Sequence, residues 1–122
     1  MPTQSEVIAD RMLTFAAGAV RLIPKLSRTV AGRYVAGQLM RASASSGANY
    51  QEACGAESRA DFIHKLQIVV KELRESVYWV RLMGRSGLVS EDELGPLLKE
   101  ADELTRIIAK SVVTARSRPK SI

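Results

Sequence analysis

Five polar side chains on the second predicted helix carry the functional groups best suited to chemistry. They recur at three- and four-residue steps, which places them on one side of an α-helix. This polar row consists of Gln38, Arg41, Ser45, Asn49 and Glu52. Together with Glu72, the row offers paired carboxylates, a guanidinium and an amide, groups that a hydrolase could use for acid–base catalysis. It lacks a nucleophile beside a base, since the only histidine, His64, stands apart from it.

We favour a structural role for the polar row over a catalytic one. The small residues between Ser43 and Ala48 allow another helix to approach closely. A polar group buried at such a contact without a hydrogen bond costs about 1–3 kcal/mol. We therefore expect the polar row to pair with Glu72, Glu75 or Lys65 of the third helix. The first pair we expect is Arg41 with Glu72, in a bidentate contact. A satisfied network of this kind fixes helix register or subunit orientation.

The sequence does not predict a metal or cofactor site. A di-iron site in a four-helix bundle needs a Glu-x-x-His motif on each of two helices. The nearest approach is the single segment Asp61–His64, in which the acid precedes the histidine by three residues. Cys54 is more typical of packing than of redox chemistry, and no glycine pair follows a predicted strand as a phosphate-binding loop requires. We expect no cofactor and no enzymatic activity.

Four helices must position these residues. The first is predicted over Glu6–Ile23 and stopped or kinked by Pro24. Its apolar face recurs at three- and four-residue steps: Ile8, Met12, Phe15, Ala19, Leu22 and Leu26. The second begins at Ser27 or Thr29 and ends at Cys54, where Gly55 is expected to adopt a left-handed conformation. The third begins at Ser58 and ends between Met83 and Ser86, and the fourth begins at the capping box Ser90–Glu93. Short connections predict an all-α, antiparallel, up-down-up-down four-helix bundle.

Composition limits the class of protein. The chain has 122 residues, 46% of them hydrophobic, which suits one soluble domain. No uncharged apolar run reaches the roughly 18 residues that a membrane span needs, and we expect neither a signal peptide nor a membrane partner. One cysteine fits a reducing, cytoplasmic environment. We expect residues 1–116 to form the bundle and residues 117–122 to form a basic, flexible tail.

The third predicted helix divides into three faces. An apolar stripe is expected in the core: Phe62, Leu66, Val69, Leu73, Val77 and Val80. A basic stripe follows beside it: Gln67, Lys71, Arg74, Tyr78, Arg81 and Arg85. The outer sector, largely opposite the core stripe, holds Glu72 and the apolar residues Ile68, Trp79 and Met83. A contiguous apolar patch facing solvent suggests a partner, so we expect Ile68, Trp79 and Met83 to lie in an interface between copies of the chain. The alternative is that a loop or the tail covers the patch.

The charge distribution suggests a polyanion as a further partner. The net charge is +5 and the isoelectric point is near 9.7, values that suit RNA or DNA. The expected nucleic-acid contacts come from the basic stripe and the tail: Lys71, Arg74, Tyr78, Arg81, Arg85, Arg116, Arg118 and Lys120. The alternative for the stripe is an ordinary solvated helix face, balanced by Glu75.

Four segments carry a family resemblance that extends along nearly the whole chain. They are Ala36–Ala42, Gly47–Ala53, Ser58–Leu66 and Lys71–Ser76 continuing into Tyr78–Trp79. These segments resemble the small four-helix-bundle proteins encoded within intervening sequences of bacterial 23S ribosomal RNA genes. The resemblance implies an antiparallel bundle that assembles into a homopentameric ring. A relative of that family, the accessory variability determinant of diversity-generating retroelements, is a basic pentameric bundle thought to bind nucleic acid and a reverse transcriptase.

Three functional hypotheses follow. The first is a non-enzymatic, oligomeric module that binds RNA or DNA through basic surface residues. The second is an adaptor whose assembled surface recruits another protein and no nucleic acid. The third is an enzyme that uses Glu52, Glu72 and Arg41, which would require these groups to share an open cleft.

Overall fold

The computed structural model describes residues 1–118. Within that range the chain is entirely helical apart from its connections, with four long helices and one short one. These are α1 (Gln4–Arg21), α2 (Ile23–Leu26), α3 (Val30–Cys54), α4 (Arg59–Arg85) and α5 (Glu91–Ser117). The predicted all-α class with four principal helices is confirmed, and the short α2 interrupts the connection between the first two. None of these helices is long and apolar enough to cross a lipid bilayer.

A serine or threonine caps the start of each long helix. In every case its hydroxyl accepts a hydrogen bond, 2.9–3.2 Å long, from the backbone N–H three residues further on. The caps are Thr3, Thr29, Ser58 and Ser90. The capping box predicted at Ser90 is only half formed. The Glu93 carboxylate does not return to the cap but accepts from Lys25 Nζ at 2.6 Å, which ties the end of α2 to the start of α5.

The helix ends differ in part from expectation. Pro24 lies in the first turn of α2, where its missing N–H costs nothing, so the predicted break after α1 is confirmed. The left-handed stop predicted at Gly55 is wrong, because Gly55 has φ −101°. Within residues 1–118 only Gly87 has a positive φ, 78°, and it turns the chain after α4.

The four long helices occupy the corners of a square. Helix α3 packs most extensively against α4, and α4 packs against α5. Helix α1 closes the square by contacting both α3 and α5, whereas α1 and α4 lie diagonally opposite each other, as do α3 and α5. Each helix therefore buries one stripe toward the centre and presents its sides to two neighbours.

The core is made mainly of aliphatic side chains, as the low aromatic content predicts. One cluster surrounds Phe15, Leu66 and Ile108, and the other surrounds Leu26 and Leu39. The predicted apolar face of the first helix is confirmed, since all of its members are buried: Ile8, Met12, Phe15, Ala19, Leu22 and Leu26. Four members of the core stripe of α4 are buried, and two, Phe62 and Val77, are partly buried against the same core.

Small side chains allow α3 to approach its neighbours closely. Ser43, Ser46 and Ser76 are fully buried, and each hydroxyl donates to a carbonyl of its own helix at 2.7–3.3 Å. Gly47 lies against α1, where a Cβ would stand 3.7 Å from Met12 Cβ. Because these hydroxyls are satisfied locally, they occupy the helix contacts without leaving an unpaired buried group.

The expectation that Met83 faces outward is wrong. Its side chain is fully buried in the cluster that contains Val80, Val89 and Leu94. After α4 the chain folds back over this position, and the backbone N–H of Leu88 donates to the Met83 carbonyl at 3.0 Å. The turn thus covers a part of α4 that a helix drawn in isolation would leave facing solvent.

Candidate functional site

The basic stripe of α4 is fully accessible. All six of its residues are exposed, and Tyr78 retains 59% of its accessible surface. Within residues 1–118 none of its cations forms an ion pair with a carboxylate: Lys71, Arg74, Arg81 and Arg85. The positive charge of the stripe is therefore available to an external anion.

Two arginines that lie between helices, Arg11 and Arg41, are by contrast paired with acids. Arg11 of α1 contacts Glu100 and Glu103 of α5 at 2.7 and 3.0 Å. Hydrogen bonds from this guanidinium hold the pKa of Glu100 below its usual value. Glu75, which the sequence offered as a balancing charge for the stripe, pairs with Arg41 on the side of α4 that faces α3. It therefore does not balance the stripe.

A shallow groove runs along the stripe where α4 meets α5. It is open to solvent and has a volume of about 400 Å³. This α4–α5 groove is lined by Gln67, Val70, Lys71, Arg74, Ala109 and Val112. Its apolar members come from both helices, whereas its polar members all come from α4. Sequence patterns could not predict it, because it depends on how α5 lies beside α4.

The eight expected nucleic-acid contacts do not form one cluster. Arg116 is exposed near the end of α5, beside the start of α4, where Arg59 Nε donates to the Ala115 carbonyl at 2.8 Å. Arg118 is exposed too, and its backbone carbonyl accepts from Arg59. Arg85 lies at the other end of α4, roughly 39 Å from Arg59 at 1.5 Å per residue. Lys120 lies outside the described residues, and the limits predicted for the tail stay a prediction.

The seam between α3 and α4 contains the polar row and most of the outer sector. Arg41 Nη1 donates to Glu72 Oε2 at 2.9 Å, and its Nη2 pairs with Glu75. The predicted contact between Arg41 and Glu72 is present, but the guanidinium divides between two carboxylates instead of holding one in a bidentate contact. The Glu72 side chain is 9% exposed and that of Arg41 is 50% exposed, so the pair lies at the edge of the bundle.

The remaining members of the polar row contribute less to the seam. Asn49 Nδ2 donates to the Ser45 carbonyl at 2.9 Å and to its hydroxyl at 3.1 Å, both on the same helix. Glu52 reaches Lys65 of α4 at 3.5 Å. Gln38 is half-buried, three residues before Arg41. Within the polar row, therefore, only Arg41 and Glu52 form ion pairs with residues of α4 in the part of the chain that the structure describes.

An aromatic cluster lies at one end of the seam. The Trp79 ring is half-buried, with Tyr34 edge-on at 5.9 Å and Tyr78 edge-on at 5.1 Å between ring centroids. The indole N–H of Trp79 has no acceptor in the part of the chain that the structure describes. Ile68, three turns before Trp79 on α4, is half-buried too. Sequence reasoning missed Tyr34, although the helical spacing of the polar row, extended by one turn, leads to it.

The catalytic hypothesis gains little from this geometry. Glu52 contacts Lys65 while Glu72 contacts Arg41, and neither acid lines the α4–α5 groove or the smaller groove between α1 and α3. Within residues 1–118 no three His, Cys, Asp or Glu side chains come together as metal ligands. Burial raises the pKa of Tyr50, next to Cys54, to about 12, so its hydroxyl stays protonated at neutral pH.

Comparison with known proteins identifies the family. The sequence profile described as 23S rRNA-intervening sequence protein matches residues 7–110. Among solved structures, the chain is similar to a protein of unknown function from the S23 ribosomal protein family of Bacteroides thetaiotaomicron VPI-5482. The two are 31% identical over 86% of this chain and 97% of the other, with a TM-score of 0.78. The search of curated proteins finds no match. With nearly all of its bundle matched, the chain belongs to the 23S rRNA-intervening sequence protein family.

Proposed function

We propose that this protein is a non-enzymatic, homo-oligomeric four-helix bundle that binds RNA or DNA in the cytoplasm through the basic stripe of α4. One observation carries the proposal. The stripe's cations, Lys71, Arg74, Arg81 and Arg85, are exposed and have no carboxylate partner within residues 1–118, whereas Arg11 and Arg41, between helices, are paired. Unneutralised cations in a row attract a phosphate backbone, and binding releases its counterions.

Neighbouring helices run antiparallel in the arrangement we propose, up-down-up-down around the bundle. Contacts along the seams support it: Arg41 lies near Glu72, whereas Lys65 lies near Glu52. A Cβ on Gly84 would meet the start of α5, whereas Arg59 bonds to its end.

Self-association occurs through the seam between α3 and α4 in this proposal. The aromatic cluster supports it, because Tyr34 is 61% exposed beside the half-buried Trp79. Tyrosine and tryptophan are the usual anchors of interfaces. The expected number of subunits, five, comes from the resemblance to the family. An oligomer would repeat the basic stripe around a shared surface, and repetition raises avidity for a long polyanion.

A salt titration with matched variants tests nucleic-acid binding. The first variant replaces Lys71, Arg74 and Arg81 by glutamine. The control replaces one lysine and two arginines that are also exposed and lie on α1 and α5: Arg21, Lys99 and Arg106. Both lose three positive charges, so a difference between them reports position and not net charge.

Affinity should be measured by fluorescence anisotropy over a range of salt concentrations. The slope of log affinity against log salt should become shallower by about 2 in the stripe variant, since each phosphate contact on a single strand contributes about 0.7. The control should keep most of the slope of the unmodified protein. Equal losses of affinity in both variants would show that binding depends on net charge and not on the basic stripe, which would refute the proposed site. Absence of binding even at low salt would refute nucleic-acid binding itself.

A protein adaptor is the second candidate. The observation that favours it is the exposed apolar surface at the start of α3, where Val30 is 77% and Tyr34 61% exposed. Partners that remain bound to the purified protein after nuclease digestion, and that are lost when Val30 and Tyr34 become serine, would support the adaptor instead.

A further inference from the structure

We infer that the α4–α5 groove holds an unpaired nucleobase of single-stranded RNA or DNA, with Lys71 and Arg74 on the adjoining phosphates. This inference rests on the proposed function and specifies the form of nucleic acid. It adds Ala109 and Val112 of α5 to the contacts that the sequence predicted.

The floor of the groove is apolar and firmly held. Val112 is 7% exposed and belongs to the core cluster around Phe15 and Ile108, while Val70 packs partly buried against the same cluster. Ala109, on the opposite side from Val70, has only a methyl group and leaves the space open. A flat apolar face such as a base can therefore lie on this floor.

The rim supplies the groups that the rest of a nucleotide needs. Lys71 and Arg74 are three residues apart, so they lie side by side on the same face of α4. Both are exposed and free of carboxylate partners within residues 1–118. Gln67, one turn before Lys71, offers an amide that can both donate to and accept from a base edge. Tyr78, one turn after Arg74, is exposed and can stack on the next base.

The shape of the groove favours a single strand over a duplex. Bases in a duplex are stacked and paired, so only their edges and the backbone reach a protein surface. A base can enter a cleft between two helices only when it is unpaired, as in the loops and ends that proteins read in RNA. Lysine and arginine side chains alone would bind a single strand or a duplex. The apolar floor makes the site prefer the single strand, because only an unpaired base can cover it.

The test compares one sequence in three forms with the full chain at low salt. Fluorescence anisotropy is measured with a labelled single strand, with its duplex, and with a strand of the same length that carries abasic sites. The single strand should bind at least about fivefold more tightly than the abasic strand, since a base that covers roughly 40 Å² of the apolar floor gains that factor at about 25 cal/mol per Å². Equal binding of the single strand, duplex and abasic strand would overturn the inference and leave the proposed function standing. If the protein binds none of the three forms, both the inference and the proposed function are refuted.

A matched pair of variants locates the site. Ala109→Leu narrows the groove without adding a charge or an aromatic ring, and Val113→Leu places the same side chain at a position on α5 that is 66% exposed and outside the groove. Ala109→Leu should reduce single-strand affinity at least about fivefold, since the base then loses its contact with the apolar floor, while duplex affinity stays unchanged; Val113→Leu should change neither. If Ala109→Leu does not fold, the comparison with the abasic strand still tests the inference. A fluorescent fatty acid that binds the unmodified protein but not the Ala109→Leu variant, with single-strand binding intact, would overturn the inference and assign the groove to an anionic amphiphile.

Discussion

Replacing Gly32 by alanine tests the close approach of α2 to the start of α3. Gly32 is buried in the first turn of α3, and an added Cβ would lie against the carbonyl oxygen of Leu26. It would also stand 2.9 Å from the carbonyl carbon of Leu26 and 2.9 Å from Thr29 Oγ1. Two of these three atoms belong to the backbone, so the methyl group cannot be accommodated by turning a side chain.

The expected magnitude follows from three contributions. Overpacking against a rigid neighbour costs about 1–3 kcal/mol. Displacing Thr29 weakens the cap in which its hydroxyl accepts from the Gly32 N–H at 2.9 Å, worth about 1 kcal/mol. The higher helix propensity of alanine returns at most about 1 kcal/mol. The net expectation is a loss of about 2 kcal/mol, or roughly 8 °C in Tm for a domain of this size.

Gly37→Ala is the matched control on the same helix. Gly37 is exposed, and no atom outside its own turn lies within 4 Å of the added Cβ. Only the propensity gain remains, so stability should rise by about 0.5–1 kcal/mol. Urea unfolding followed by far-UV circular dichroism, at one protein concentration because assembly contributes to stability, measures both. A Gly32→Ala protein as stable as the Gly37→Ala protein would refute the reasoning.

Three further predictions concern the seams and caps. Trp79→Glu should lower the assembled mass in light scattering, whereas Trp79→Phe, which keeps an aromatic ring and removes an indole N–H that has no acceptor within residues 1–118, should keep it; an unchanged mass for Trp79→Glu would contradict the proposed interface. Glu100→Gln should cost about 0.5–1 kcal/mol at neutral pH. Because hydrogen bonds from Arg11 lower the pKa of Glu100 from 4.5, this contribution is complete above pH 4.5 and lost as pH falls through the lowered pKa, so the two unfolding free energies should converge in acid. Ser58→Ala should cost about 1 kcal/mol in urea unfolding, and Ser58→Asp, which retains an acceptor, should restore most of it.

The sequence was sufficient to locate the helices, because the signals that delimit them are local. Apolar residues at three- and four-residue steps marked the buried face of α1, and Ser58 and Ser90 marked helix starts through bonds that span only three residues. The contact between Arg41 and Glu72 could also be predicted from the sequence, since a polar row beside small residues needs oppositely charged partners on the adjacent helix. The family was recognisable for the same reason: its motifs are short continuous segments.

Tertiary structure decided what faces solvent and what lies between helices. A helical wheel places Met83 opposite the core, but the turn after α4 folds back and buries it. The sequence offered Glu75 as a partner for either the polar row or the basic stripe, and only the structure shows that it pairs with Arg41. The α4–α5 groove exists only because Ala109 and Val112 come to lie beside Val70. Periodicity describes one helix at a time, whereas burial, ion pairing and cavities are properties of two or more helices together.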